Sequence, residues 1–454
     1  MVGASRLPSL SRISVVGLGY VGLTVAAVLA SKGFKVIGVD TDEEKVSEVS
    51  LGRCPVHEPG LDVLVRRSVR RHNLSATTDY NAIRETSVTF ITVGTPSSND
   101  GGIDLSYIQS ASRSIGESLS GKRERHLVVV KSTVVPGTTQ RVIVPTLESS
   151  SNHRVGESLF VCVNPEFLRE GSAVKDMLHP DRLVLGDAGD GSSNLLLNLY
   201  KVLYRKKMPP VLKTNYVNAE LIKYANNVFL ATRISLINEF ANLCQLIPGA
   251  DVNVVAQGIG LDERIGPHFL RAGIGFGGSC FPKDLRAIIT LSRELGHDPE
   301  LIRVTYEVNE RRPGVVIKMA EDLLGDLKGR RVAILGLAFK PNTDDVREAP
   351  ALKLVKLFAE KKAEVKAYDP VAGENAKRVL GNAVTIVDSI EECLRGADLC
   401  VLATEWDEFR ALRPEHFIGF MREPVLIDGR RIYDPKEFSS KMRFRAIGLG
   451  TNDG

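Results

Sequence analysis

A chain of 454 residues, 43% hydrophobic and 25% charged, has ordinary globular composition and length for two or three domains, which sets disorder aside. Lys plus Arg at 59 against Asp plus Glu at 55 leaves a net charge of only +4, too mild and dispersed for a nucleic-acid binder, although local basic sites for phosphates remain open. Six cysteines show neither C-x-x-C nor zinc-type spacing, the start has no apolar signal core, and no run approaches the roughly 20 apolar residues of a membrane span; a cytoplasmic protein with free thiols, no metal and no membrane partner is expected.

In chain order, Ile13–Val16 is an apolar, β-branched strand signal. Gly17, Leu18, Gly19, Tyr20, Val21 and Gly22 follow at once, then the helical stretch LTVAAVLASKG closed by Gly33, then KVIGVD, a strand ending at Asp40. A G-x-G-x-x-G alone is weak evidence. Here a strand precedes it, a helix follows it, and Asp40 comes 23 residues after Gly17, near the roughly 20 of a dinucleotide fingerprint. Gly17 suits the tight turn, Gly19 the approach of a pyrophosphate, and Gly22 close packing, while the helix start offers its amides to phosphate. Asp40 accepts from a ribose 2′-hydroxyl and repels a 2′-phosphate, which favours NAD over NADP. The plainer alternative is a structural glycine turn beside an exposed acid.

VTFITV (88–93), HLVVVKS (126–132) and LFVCVN (159–164) read as further buried strands, so a parallel, doubly wound sheet is expected. From Ala219 to Ile247 there is no Gly or Pro, and apolar residues recur at helical spacing, which predicts a long helix between domains. Residues 250–318 continue helical apart from a glycine-rich loop at 273–278. A second α/β pattern starts near 330: RRVAILGLAF, VKAYDP (365–370), DLCVLATE (398–405) and PVLIDGR (424–430). RISVVGLG…VIGVD against RVAILGLA…VKAYDP reads as a diverged repeat that keeps all three glycines only in its first copy. The fold class expected is α/β, with two Rossmann-like doubly wound parallel-sheet domains joined by a long central helix and helical dimerisation region. The divisions are 1–210 for the NAD-binding domain, 211–318 for the central region with the cysteine loop, and 319–454 for the C-terminal Rossmann-like domain.

Three clusters carry chemistry. In Gly273-Ile-Gly-Phe-Gly-Gly-Ser-Cys280-Phe-Pro-Lys-Asp284, four glycines in six residues suggest backbone close to a ligand, Lys283 favours a thiolate, and Asp284 orients a base or water. A lone cysteine is otherwise a small buried apolar residue, glycines also serve plain turns, and Lys-Asp also forms solvated pairs. In Asn164-Pro-Glu-Phe-Leu-Arg-Glu170, Glu166 and Glu170 are four apart and on a helix share a face, as paired carboxylates or as acids of a solvated first turn. Lys223 and Asn227 are also four apart, on the long helix; the alternative there is a lysine snorkelling from an apolar face.

At these clusters the sequence closely resembles the UDP-glucose/GDP-mannose dehydrogenase family, and within it the branch acting on UDP-glucose. The matching segments are VVGLGYVG (15–22), HEPGL (57–61), ITVGTP (91–96), KSTVVPGTT (131–139), NPEFLREGSA (164–173), AELIKYANNVFLATRISLINE (219–239), GLDERIG (260–266), GFGGSCFPKD (275–284), LAFKPNTDDVREAP (337–350) and DGRR (428–431). They span nearly the whole chain in the family's order. The resemblance implies a four-electron, NAD-dependent oxidation of UDP-glucose to UDP-glucuronate. Cys280 adds to the aldehyde, the thiohemiacetal becomes a thioester, and water releases the acid. It implies that Lys223 and Asn227 hold the oxygen on C6, that Asp284 and Thr133 position water, and that Glu166 is the hydrolytic base.

For the nucleotide sugar the resemblance adds Phe167, Leu168, Arg169 and Glu170, the loop residues Arg271, Gly273, Phe276 and Gly277, and Phe339, Lys340 and Arg430. For NAD it adds Lys45, Val93, Gly94, Thr95, Ser132, Val134, Glu170, Lys283 and Arg347. Arg264 resembles a residue contributed across a subunit interface, which implies a homodimer. GDP-mannose dehydrogenase chemistry on the same fold is the nearest alternative; UDP-N-acetylhexosamine dehydrogenases depart at the cysteine loop, and a non-catalytic NAD sensor has no need of Cys280, Lys223 and Glu166 together.

Overall fold

The computed structural model describes residues 12–450. The chain divides into two compact units, Met1–Ala225 and Asn226–Gly454. In the first, β1 (Arg12–Val16), β2 (Lys35–Val39), β3 (Leu74–Thr77), β4 (Val88–Ile91), β5 (His126–Val130), β6 (Leu159–Val163), β7 (Leu183–Asp187) and β8 (Val211–Asn215) form one sheet in the order β3-β2-β1-β4-β5-β6-β7-β8. The first six have the Rossmann order, with the reversal between β1 and β4. β4, β5 and β6 are buried at every position, as strands covered on both faces must be. The sheet is not parallel throughout: β6 and β7 meet antiparallel through Val163 and Gly186, and β7 then runs parallel to β8.

Register fixes what lies at the sheet's carboxyl end. Val16 is level with Val39 of β2 and with Ile91 of β4. Gly17, Asp40 and Thr92 therefore emerge side by side, at the switch point where doubly wound sheets bind ligands.

The long helix runs Tyr216–Leu246, three residues earlier at its start than the Gly- and Pro-free run. Its buried face mixes apolar residues such as Tyr224, Ala231 and Ile237 with polar ones, while large apolar residues lie outside. Lys223, Asn227, Ser235 and Asn238 are buried, while Leu221, Phe229, Leu236, Phe240, Leu243 and Leu246 are exposed at 41–80%. The apolar stripe recurs every three, four, seven or eight residues and is exposed.

In the second unit, the helices Phe281–Glu294 and Glu300–Leu324 follow a non-helical stretch that runs from Leu261 to Cys280, longer than the glycine loop alone. The second sheet contains β9 (Arg331–Leu335), β10 (Glu364–Tyr368), β11 (Thr385–Ile386), β12 (Leu399–Leu402), β13 (Val425–Asp428) and β14 (Arg443–Ala446). Its order, β11-β10-β9-β12-β13-β14, repeats the Rossmann order, and every pairing is parallel. Among the described residues no helix is long and apolar enough to cross a membrane.

Candidate functional site

The glycine turn of the first unit is shaped by contacts that no side chain tolerates. Gly17 has φ +93°, and a Cβ there would lie 2.9 Å from Val93 N; a Cβ on Gly22 would lie 1.8 Å from Gly17 O. Gly19 differs: an added Cβ meets no protein atom within 4 Å, so that glycine keeps space open rather than packing into it. Leu18 N donates to Asp40 Oδ2 at 2.6 Å, tying the turn to the acid at the end of β2. The helix Tyr20–Ser31 begins at Gly19 with no side-chain cap and no acid in its first turn, leaving its first amides to an incoming anion. Beside it, Thr92 Oγ1 donates to the Val16 and Gly17 carbonyls, Ser132 Oγ to Val93 O at 2.7 Å, and Thr95 Oγ1 to Thr133 O at 2.8 Å. The loops after β1, β4 and β5 are thus laced together, carrying Val93, Gly94, Thr95, Ser132, Thr133 and Val134. Lys45 pairs with Asp42 at 3.0 Å; that hydrogen bond, aided by the charges of Asp40 and Asp42, raises the ammonium above its usual range.

After β6 the chain does not form a helix, so Glu166 and Glu170 are not helical neighbours. Pro165 follows Asn164, and side chains take the place of helical hydrogen bonds. Glu166 Oε2 accepts from Leu168 N at 2.6 Å, and its Oε1 accepts from Lys223 Nζ at 2.8 Å. That ion pair is buried, with side-chain exposures of 7% and 5%. Lys223 therefore points inward and does not snorkel. Phe167 lies under the Arg182 guanidinium at 3.9 Å, and Arg169 is held bidentate by Asp176. Glu58, of the HEPGL segment, reaches this loop: its two oxygens accept from Gly171 N and Ala173 N, both at 2.7 Å.

In the second unit Cys280 is the N-cap residue of the helix Phe281–Glu294, where the positive helix end favours an anionic sulfur. Asp284 N donates to Cys280 O at 2.8 Å. Asp284 is 1% exposed and accepts from Asn227 Nδ2 and from Lys283 Nζ, each at 2.6 Å. Lys283, partly exposed, thus forms an ion pair with the buried Asp284. Of six free cysteines, Cys162, Cys244, Cys393 and Cys400 are buried. Burial drives Cys162 and Cys400 well up and Cys393 to about 12, which leaves those thiols inert; Cys280 is partly exposed.

The glycines of the cysteine loop answer to protein contacts rather than to an open space beside the backbone. An added Cβ on Gly275, whose φ is +107°, would lie 2.9 Å from Asn309 Oδ1; on Gly277, 2.4 Å from Glu348 O; on Gly278, 2.8 Å from the Phe339 ring. Side chains of two helices hold the loop by its main chain. Asn309 accepts from Phe276 N at 2.7 Å and donates to Phe276 O at 3.0 Å, while Asn238 accepts from Gly273 N and the buried Arg312 donates to Gly273 O. Arg430 joins in, donating to Gly275 O at 3.1 Å and to Ala403 O at 2.7 Å, in a turn shaped by Asp428 accepting from the amides of Arg430, Ile432 and Tyr433. Lys340 sits over the Phe339 ring, and Arg347 O accepts from Gly278 N while its guanidinium pairs with Asp345. Arg271 is exposed, and Arg264, 88% exposed, makes a local pair with Asp262.

The diverged repeat is visible atom by atom. Gly336 has φ +97°, and Asp369 Oδ2 accepts from Leu337 N at 2.7 Å, as Asp40 does from Leu18 N. Asp369, however, also takes Ala338 N, Val371 N, Ala372 N and Trp406 Nε1. Its carboxylate is consumed internally, so the second copy offers no ribose acceptor.

Sequence reasoning missed Glu58, Lys131, Asn164, Asn309 and Arg312. Local pattern cannot show contacts that bridge 33 to 115 residues. The one available signal was polar residues inside segments otherwise read as apolar strand or helix.

Three models of one family match in order: UDP-glucose/GDP-mannose dehydrogenase family, NAD binding domain over residues 11–204, central domain over 217–311, and UDP binding domain over 333–435. A UDP-glucose 6-dehydrogenase of Haloferax volcanii is 47% identical over 426 residues, covering 94% of this chain and 98% of that protein. The structure of a UDP-glucose dehydrogenase from Pyrobaculum islandicum matches with TM-score 0.90 at 38% identity, covering 98% of this chain and all of that one (100%). A UDP-D-ManNAc dehydrogenase structure from Pyrococcus horikoshii matches with TM-score 0.84 at 32% identity, covering 97% and 99%.

Proposed function

The chain belongs to the UDP-glucose/GDP-mannose dehydrogenase family, and on that premise we propose that it oxidises UDP-glucose to UDP-glucuronate with two NAD⁺. The observation that carries the reading is Cys280, a partly exposed thiol at a helix N-cap within a turn of buried Asp284. The family's UDP binding domain at 333–435 and the 47% identity to a UDP-glucose 6-dehydrogenase favour UDP-glucose over GDP-mannose.

The first unit fits NAD: the space above Gly19, the uncapped helix start and Asp40 supply room for a pyrophosphate, amides to bind it and an acceptor for ribose hydroxyls. Bound NAD⁺ supplies the acceptor for one hydride at a time. Lys45, the loop residues Val93–Thr95 and Ser132–Val134, Glu170, Lys283 and Arg347 complete that site. Lys223 and Asn227 hold the C6 oxygen and stabilise its growing negative charge. Cys280 sulfur bonds to the aldehyde carbon, giving a thiohemiacetal whose carbon can release a second hydride and become a thioester. Asp284 and Thr133 position water; Glu166 takes its proton as the C–S bond breaks. Phe167–Glu170, Arg271, Gly273, Phe276, Gly277, Phe339, Lys340 and Arg430 bind the nucleotide sugar. The free thiols suit a cytoplasmic enzyme.

Initial rates with UDP-glucose, UDP-galactose, UDP-N-acetylglucosamine and GDP-mannose test the substrate. UDP-glucose should be preferred, with two NADH per sugar; a higher kcat/KM for any other sugar nucleotide rejects the assignment. NAD⁺ should be preferred over NADP⁺, because Asp40 repels a 2′-phosphate, and Asp40→Ala should narrow the gap by about tenfold, or roughly 1.4 kcal/mol. Wild type working better with NADP⁺ would refute this.

The enzyme is a homodimer built on the long helix, whose exposed stripe of Leu221, Phe229, Leu236, Phe240 and Leu243 needs a cover and suits a self-complementary contact. Arg264, exposed at the surface beside Asp262, serves the neighbouring subunit's site. Light scattering at assay concentration should report a dimer, and a fully active monomer would rule it out.

A further inference from the structure

Three charged side chains are buried together at the carboxyl ends of β5 and β6 and on the long helix: Lys131, Glu166 and Lys223 are 4%, 6% and 4% exposed. Lys223 takes the ion pair with Glu166. Among the described residues no carboxylate lies within ion-pair distance of Lys131; its ammonium donates to Asn164 Oδ1 at 2.9 Å. Asn164 is fully buried and fixed in turn by Tyr200 OH, which donates to the same oxygen, and by its own Nδ2 donating to Val184 O at 3.0 Å. Glu166 stands two residues beyond Asn164 on the same loop. Lys131 and Glu166 also line one cleft, together with His179, Arg182 and Tyr200.

We propose that Lys131 is a positioning residue that governs the basicity of Glu166, giving up its own proton so that the carboxylate can accept one. The inference rests on Glu166 being the base of thioester hydrolysis. Charge counting carries it. A charged Lys131 opposes a proton on Glu166, and a neutral Lys131 removes one buried positive charge from beside it. Lys131 suits this role, since burial lowers its ammonium to about 8, with Glu166 opposing and Lys223 reinforcing the shift. The step balances. Lys131 loses its proton to solvent beforehand, water oxygen bonds to the thioester carbon, the water proton passes to Glu166, and Cys280 leaves as thiolate, with no change of oxidation state. Of the other ionisable groups facing Lys131, burial keeps Cys162 and Tyr200 protonated well beyond the working range. Arg182 and His179 line the same cleft and are left unchanged in every variant compared.

The test follows decay of the Cys280 acyl adduct after one turnover, by rapid quench and intact-mass spectrometry. It compares full-length wild type, Lys131→Arg and Lys131→Met between pH 7.5 and 9.5 with UDP-glucose and NAD⁺. Wild-type hydrolysis should rise through this range. Lys131→Arg, a permanent cation, should lose the rise and fall about tenfold below wild type at pH 9.5, the worth of one pKa unit. Lys131→Met should lose the rise and stay near the upper level, and KM values should hold within about twofold of wild type. Either variant keeping the wild-type rise overturns the proposal, and Lys131→Arg alone decides if Lys131→Met fails to fold. The underlying function fails separately: no adduct in wild type, or unchanged hydrolysis in Glu166→Gln, would reject the thioester reading whatever Lys131 does.

Discussion

Cys280→Ser should abolish release of UDP-glucuronate, with turnover to the acid down at least ~10³-fold, while the fold stays intact. The substitution keeps the volume and exchanges a thiol for a poor nucleophile. Cys280 is partly exposed and tops a helix rather than filling a core, so its loss removes little packing and melting should move by no more than a few degrees. Residual product should stall at the aldehyde or as a slowly hydrolysed ester. Near-native acid release, with two NADH per sugar, would show that no thioester forms on this residue. A large fall in melting temperature would instead assign Cys280 to packing.

Glu166→Gln should act one step later. It removes the base and turns the buried ion pair with Lys223 into a neutral amide facing an ammonium. Hydrolysis should slow by roughly 10²–10⁴-fold, the usual worth of a general base, and a sugar-nucleotide adduct should build up on the peptide containing Cys280. Stability should fall too, because a buried cation that loses its partner costs about 3–5 kcal/mol. Adduct accumulation separates these effects, since a merely destabilised enzyme accumulates none. Turnover limited by the first hydride, with no adduct at any time, would remove Glu166 from the hydrolytic step.

What could be read from the sequence was what the backbone dictates locally. Gly17, Gly22 and Asp40 are legible because the turn, the packing and the acid at the strand end depend on near neighbours. The second Rossmann-like sheet was legible from its repeat of strand and acid, down to Asp369 standing where Asp40 stands. The polar residues of the long helix were legible too, but their direction was not. Helical spacing puts Lys223 and Asn227 on one face without saying which face turns inward, and here the polar one does, leaving Phe229 and Leu236 outside. Four-residue spacing misled at Glu166 and Glu170, because Pro165 and the bond from Leu168 N to Glu166 hold an irregular loop. The loop glycines were visible, but not what presses on them: Asn309, Glu348 O and Phe339 arrive from later in the chain. Strands β3, β7, β8, β11 and β14 went unread, β8 because its five residues are largely exposed and carry no burial pattern.

Asp369, closed off by Trp406 and four amides, has a consequence for timing. Two working dinucleotide folds would let a protein park two oxidants at once; this one has room for a single tenant. Spent NADH must depart and a fresh molecule arrive while the sugar is only half converted. On the proposed route the aldehyde is a reactive group at the end of a nucleotide sugar, open to loss into water during that pause. On the proposed mechanism a bond to sulfur is a mooring line as well as a chemical handle, and an enzyme deprived of it should leak aldehyde in proportion to how long the vacancy lasts, so leakage should grow as NAD⁺ is made scarce.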